Sequence, residues 1–163
     1  MISEAENDLI VTAMLNNNEI IEEALTEWIY NQQDIYATAK VFKCIQDRDQ
    51  RCGGLIVSVE SGSISAGADN IEFFNGNKHV SMNRVKGKLG ESYIMIFTSR
   101  ERFRQYNNTA GIVMFIRELF SFLGNLDGVE GIVINMGKED VVIDRIMLNL
   151  ISNFLEVGDK NQG

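Results

Sequence analysis

Proline is absent from all 163 residues. Every turn must therefore rest on Gly, Asn, Asp and Ser, the residues that tolerate or stabilise turn backbone without it. Histidine occurs once, at His79, so only one imidazole exists to serve as a general base. The two cysteines, Cys44 and Cys52, do not follow zinc-binding or redox spacings. No continuous apolar run approaches the 18 or so residues of a membrane-spanning helix. The opening stretch, MISEAENDLI, lacks the basic region followed by an apolar run that marks a secretory signal. These absences lead to the expectation of a cytoplasmic protein with reduced thiols and no disulfide.

Basic residues are missing from the first 34 positions. That segment carries Glu4, Glu6, Asp8, Glu19, Glu22, Glu23, Glu27 and Asp34 against no Lys or Arg. The whole chain has 23 acidic and 15 basic residues, net −8, so the remainder is balanced at 15 and 15. Such an acidic module repels phosphates, and nucleic acid is not expected as the partner. Its plainest reading is a solvated outer helix face. Hydrophobic residues make up 45%, enough for one domain with a sizeable core. That domain is expected over residues 1–157, with the acidic segment 1–34 packed on it and 158–163 as a flexible tail.

The pattern predicts a helix over 4–16 and a second helix after Asn18, with Asn18 as its N-cap. Trp28 is expected as a core anchor on that helix. Residues 35–45 alternate β-branched and aromatic side chains, which suits a strand. Residues 54–61 read as a strand, 71–82 as a hairpin around Asn75-Gly76, and 84–92 as an exposed basic connection. Tyr93 to Phe97 is a buried strand followed by a short charged helix that Thr98 or Ser99 caps. Residues 111–125 read as one apolar helix, 130–137 as a central strand, and 139–143 as its hairpin partner. Asp144 caps a last helix. The fold class is α+β (mixed α/β), a single layer of β-sheet with helices packed on it.

YIMIFTSRERFRQY (93–106), followed by GIVINMGKEDVVIDRIMLNLI (131–151), resembles the N-terminal domain of SseB-type proteins. That family runs an apolar strand into Phe-Thr-Ser, then a short charged helix, a longer helix, a strand ending in Ile-Asn-Pro, a hairpin and a closing helix. The resemblance extends over residues 7–155. Met95 and Met136 stand where the family usually has proline. The family takes its name from a serine-sensitivity phenotype, and the resemblance implies no agreed enzymatic activity.

The residues themselves offer little chemistry. Ser99 and Thr98 lie at a strand-to-helix turn, yet FTSRE lacks the glycines of a nucleophile elbow, and a hydroxyl without an adjacent base is a weak nucleophile. Glu139 and Asp140 are adjacent, so in extended chain they point apart. Cys44, Cys52 and His79 do not make a metal set, and Asp47-Arg48-Asp49 lacks the rest of a calcium loop. No metal or other cofactor is expected. A binding role is better motivated. Arg100 and Arg104 share a helix face, with Arg102 pointing elsewhere. Together with Arg84, Lys86 and Lys88 they could receive an acidic peptide, a phosphate or the chain's own acidic helices. Thr98, Ser99, Arg100, Arg104 and Asn135 are the candidate binding residues. The expected function is a non-catalytic interaction module that binds a protein or acidic peptide. The alternative is a small-molecule or anion sensor with Asn135 as a polar contact. The apolar 111–125 segment also suggests a homodimer.

Overall fold

A computed structural model describes residues 2–64, 70–76, 79–106, 110–135 and 140–162, with side chains as far as Val157. The chain opens with α1 (Glu4–Leu15), α2 (Glu19–Ile29) and α3 (Ile35–Gln50). Next come β1 (Gly54–Val59), a 3₁₀ turn at Ser61–Ser63, β2 (Ile71–Phe73), β3 (Arg84–Lys86) and β4 (Ser92–Phe97). Then follow α4 (Arg100–Tyr106), β5 (Ala110–Phe115), α5 (Ile116–Gly124), β6 (Gly131–Ile134), β7 (Val141–Asp144) and α6 (Arg145–Gln162). The strands form one mixed sheet in the order β2-β5-β1-β4-β6-β7, with β3 alongside β4. The chain is thus α+β, as its pattern predicts.

Both faces of the sheet are covered. Leu55, Val57, Ile94, Ile96, Ile112, Met114, Ile132 and Ile134 point into a large core under α2, α3, α5 and α6. Their neighbours Ile56, Met95, Phe97 and Val113 point the other way, against Val11, Met14 and Leu15 of α1 and Phe103 of α4. Two-sided burial is why these strands read as unbroken apolar runs.

Four readings of the sequence are overturned by this packing. Residues 35–45 are helix, not strand: Ala37, Val41, Ile45 and Arg48 are buried at helical spacing, and the Asp34 side chain caps the start by accepting the Tyr36 N–H at 2.9 Å. Ile35 and Tyr36, whose strand propensity suggested otherwise, are 75% and 82% exposed. Residues 111–125 are not one helix. Ala110–Phe115 is a strand paired antiparallel along all of β1, and the helix starts at Ile116. A short continuous apolar run fits a buried strand and a buried helix equally well. Among the described residues, the hairpin expected around Asn75-Gly76 does not form. β2 pairs in parallel with β5, while 84–92, expected as a connection, holds β3 and the turn that pairs it antiparallel with β4.

Other expectations hold. β6 lies inside the sheet between β4 and β7, and Asp144 caps α6 by accepting the Met147 N–H at 2.9 Å. Trp28 is buried in the large core. Residues 158–162, expected within a flexible tail, are by contrast helical backbone that continues α6 as far as Gln162. Residues 107–109 and 136–139, which include Met136, Glu139 and the end of the predicted 130–137 strand, lie outside the described residues.

Gly131 shows how closely β6 and β7 approach. A Cβ there would overlap the Ile143 carbonyl oxygen of the neighbouring strand. Backbone cannot yield as a side-chain end can, so Gly131→Ala should destabilise the fold by about 3 kcal/mol, the upper range of core overpacking. Urea denaturation checks this; an unchanged midpoint would contradict the strand pairing.

Candidate functional site

The strand β4 ends at Phe97, and the next two residues diverge in role. Ser99 caps α4: its Oγ accepts the Arg102 N–H at 3.1 Å, and Phe103 N donates to the Ser99 carbonyl at 3.1 Å. Phe103 then anchors the short helix edge-on against Phe97, with ring centroids 5.5 Å apart. Thr98, expected as an alternative cap, has no such role. It is fully buried and forms the centre of a polar junction between the strand ends and the N-terminal helices.

Asn135 makes that junction from the β6 side. It follows the last strand residue in left-handed backbone, φ 56°, a conformation Asn accepts more readily than most residues. Its N–H donates to the Ile96 carbonyl at 2.8 Å, continuing the β4–β6 pairing by one step. Its carboxamide then grips Thr98 twice. Oδ1 accepts the Thr98 N–H at 3.0 Å, and Nδ2 donates to Thr98 Oγ1 at 3.0 Å. The single hydroxyl proton of Thr98 goes to Glu22 Oε1 at 2.5 Å, a charge-assisted bond. The same hydroxyl also lies 3.2 Å from Asn135 Oδ1. Since Oγ1 has one proton to give, that contact is not a second donated bond. The other Glu22 oxygen lies 3.6 Å from Arg102 Nη2.

A second carboxamide closes the junction from the helix side. Asn18 occupies the N-cap position of α2, but its side chain makes no capping bond there. Nδ2 instead donates to the Gly54 and Thr98 carbonyls, both at 2.9 Å. Oδ1 accepts Arg48 Nε at 3.2 Å, and Arg48 Nη2 reaches the Met14 carbonyl at the end of α1 at 3.2 Å. Arg48 is 4% exposed, and burial draws its pKa below the ordinary guanidinium value, with Asp47 pulling the other way.

The arginines of α4 are divided differently from the helical-face expectation. Arg100 is committed to α1: Nη2 bonds Asp8 Oδ1 at 2.9 Å, the Asp8 carbonyl at 3.1 Å and Thr12 Oγ1 at 3.0 Å. Arg102, expected to point elsewhere, faces Glu22, and its Nη1 is buried without a hydrogen bond. Arg104 lies on the exposed side of α4. Of the five predicted residues, the structure joins Thr98 and Asn135 directly and places Ser99 next to them. Arg100 is turned toward α1, and Arg104 outward.

The sequence reading missed Asn18, Glu22, Arg48 and Arg102 as members of this cluster. Asn18 and Glu22 carried a signal only as helix-start residues; their real partners lie 80 and 76 positions away. Elsewhere, Cys44 and Cys52 are free thiols, and burial raises the Cys44 pKa. Among the described residues no His, Cys, Asp or Glu group could hold a metal ion, and no helix is long and apolar enough to cross a membrane.

A mixed sheet covered on both faces, with an Asn-fixed strand end running into a Ser-capped basic helix, defines the class of domain. The SseB protein N-terminal domain profile matches residues 22–149, most of the chain, and the chain belongs to the SseB family. No curated protein and no solved structure matches it. The matched span begins inside α2, so α1 lies ahead of it.

Thr98→Val keeps the shape of the side chain but removes the donor to Glu22 and the acceptor for Asn135. We expect a loss of about 2 kcal/mol, the range for stranding buried polar groups. Thr98→Ser should lose less than half of that. Chemical denaturation of both variants checks the order; equal stabilities for Val and wild type would remove Thr98 from the junction.

Proposed function

We propose that the chain is a non-catalytic interaction module of the SseB type, which recognises an acidic protein segment through the basic stretch between residues 84 and 104. The observation that carries this reading is the intramolecular pairing of α4 with acidic helices. Arg100 receives Asp8 of α1, and Arg102 faces Glu22 of α2. The same short helix presents Arg104 outward, and the β3–β4 hairpin presents Arg84, Lys86 and Lys88. A surface that already receives the acidic side of one amphipathic helix has the chemistry to receive another.

The chemistry at the turn supports a binding rather than a bond-making role. The Thr98 hydroxyl donates to a carboxylate that also faces a guanidinium, and Ser99 is engaged by the α4 backbone. A nucleophile needs a base to take its proton and an open side for substrate, and Thr98 is fully buried. A small-molecule sensor would hold its ligand between this turn and Asn135. Asn135 is 7% exposed and its amide is occupied by Thr98, which favours the protein-partner reading. The net charge of −8 goes with a protein partner rather than nucleic acid. The free thiols suit the cytoplasm.

The test uses Arg104 rather than Arg100, because removing Arg100 also frees α1. Arg104→Glu combined with Lys86→Glu should reduce affinity capture of partner proteins from the native cell by about tenfold, as expected for reversing rim charges. Capture should also fall steeply with salt. Unchanged capture would refute the basic surface as the receptor. A thermal-shift panel of amino acids, nucleotides and phosphate separates the two readings. A sensor at a hundredfold excess of ligand over Kd would gain about 2.7 kcal/mol, whereas the interaction module gains nothing.

A further inference from the structure

The outer surface of the α2–α3 hairpin is the most distinctive feature that the SseB site leaves unused. The two helices run antiparallel and leave a groove of about 470 Å³ between them, its wall formed by Ile20, Tyr36, Ala39 and Cys44. At the turn joining them, Tyr30, Ile35 and Tyr36 are 81%, 75% and 82% exposed. Tyrosine in such a setting is a typical interface anchor, because a large rigid ring loses little entropy on burial. An isolated exposed apolar side chain needs no explanation, but three beside an apolar groove do.

The charges flanking the groove identify what fits it. The α2 bank carries Glu19, Glu23 and Glu27 and no basic residue, while the α3 bank carries Lys40 and Lys43. Asp47, at the far end of the groove, is paired with Arg51 at 3.3 Å. Lys40 already bonds Glu27 across the hairpin at 2.8 Å. This pairing leaves Glu19 and Glu23 exposed on α2 and Lys43 exposed on the α3 wall of the groove. A uniformly acidic partner is repelled by α2, and a uniformly basic one by the lysines of α3. The matching surface has both signs in reversed order around an apolar seam. A second copy of this hairpin, turned about a two-fold axis parallel to the helices, has that arrangement: its α2 lies over α3 and its α3 over α2.

We propose that the α2–α3 face is a homodimer interface, in which the two hairpins pack as a four-helix layer with Glu23 of each chain facing Lys43 of the other. With α3 only 16 residues long, the shared face is about 24 Å in length. That places it at the small end of specific interfaces, so the dimer dissociates on dilution. This surface is separate from the α4 receptor, and either can fail without the other.

Sedimentation equilibrium of the full chain over a wide concentration range tests the proposal. A reversible monomer–dimer equilibrium is expected. Ala39→Arg places a charge on the seam at a helical position that tolerates it, and should leave a folded monomer by circular dichroism. Lys43→Glu should weaken dimerisation at least about tenfold, the scale of like-charge contacts at a rim. The decisive variant is Glu23→Lys with Lys43→Glu, which restores opposite charges only in a two-fold interface and should recover most of the lost affinity. A chain that stays monomeric at every concentration overturns the proposal. So does a dimer indifferent to Ala39→Arg, or one weakened by Lys43→Glu that the double reversal fails to restore.

Discussion

The carboxamide of Asn18 is the contact on which the arrangement of layers depends. The helices on the two faces of the sheet are joined at the 16–18 turn, where α1 crosses to α2. A turn passing a sheet end leaves strand carbonyls without partners, and buried carbonyls must be satisfied. Asn18 supplies both Gly54 and Thr98 from one amide group and takes Arg48 on its oxygen. Arg48 in turn holds the last turn of α1. A single polar side chain thus ties α1, α2, α3, β1 and the end of β4 together. Satisfied networks of this kind specify one packing, because any alternative leaves several groups stranded at once.

Asn135 repeats the device from the opposite strand. Asn18 and Asn135 bracket Thr98, one on its carbonyl and the other on its amide and hydroxyl. The residue at the end of β4 is therefore held by side chains from both halves of the chain, and the direction of entry into α4 is fixed by groups outside α4. This is why a seven-residue helix, too short to be stable alone, keeps its place. It is capped by Ser99, pinned by Phe103 and braced by arginines against acidic helices. The acidic N-terminal segment and the basic middle segment look like separate surface features in the sequence. In the fold, Asp8 and Glu22 from the first meet Arg100 and Arg102 from the second along a shared seam.

This seam also gives the family pattern a structural meaning. The Phe-Thr-Ser and Ile-Asn elements shared with SseB domains build a structural junction in which the hydroxyl and the amide satisfy one another. Arg104, Lys86 and Lys88 lie outward of it, on the exposed surface.

The sequence by itself determined the α+β class, the family pattern, the β4–α4 turn with a hydroxyl cap at Thr98 or Ser99, the β6–β7 pair and the Asp144 cap. Most of these rest on local chemistry: a cap bonds two or three residues away, and a hairpin closes over a few. The tertiary structure alone decided that 35–50 is helix, that 110–115 is strand, and that 71–73 joins a distant strand in parallel. In those stretches the local signals conflict, and burial against partners far along the chain settles them. The same limit applied to the site. Thr98, Ser99, Arg100, Arg104 and Asn135 could be found one by one. That Asn18, Glu22, Arg48 and Arg102 complete the cluster depends on bonds between residues about 30 to 80 positions apart, and spacing along a chain carries no record of such meetings.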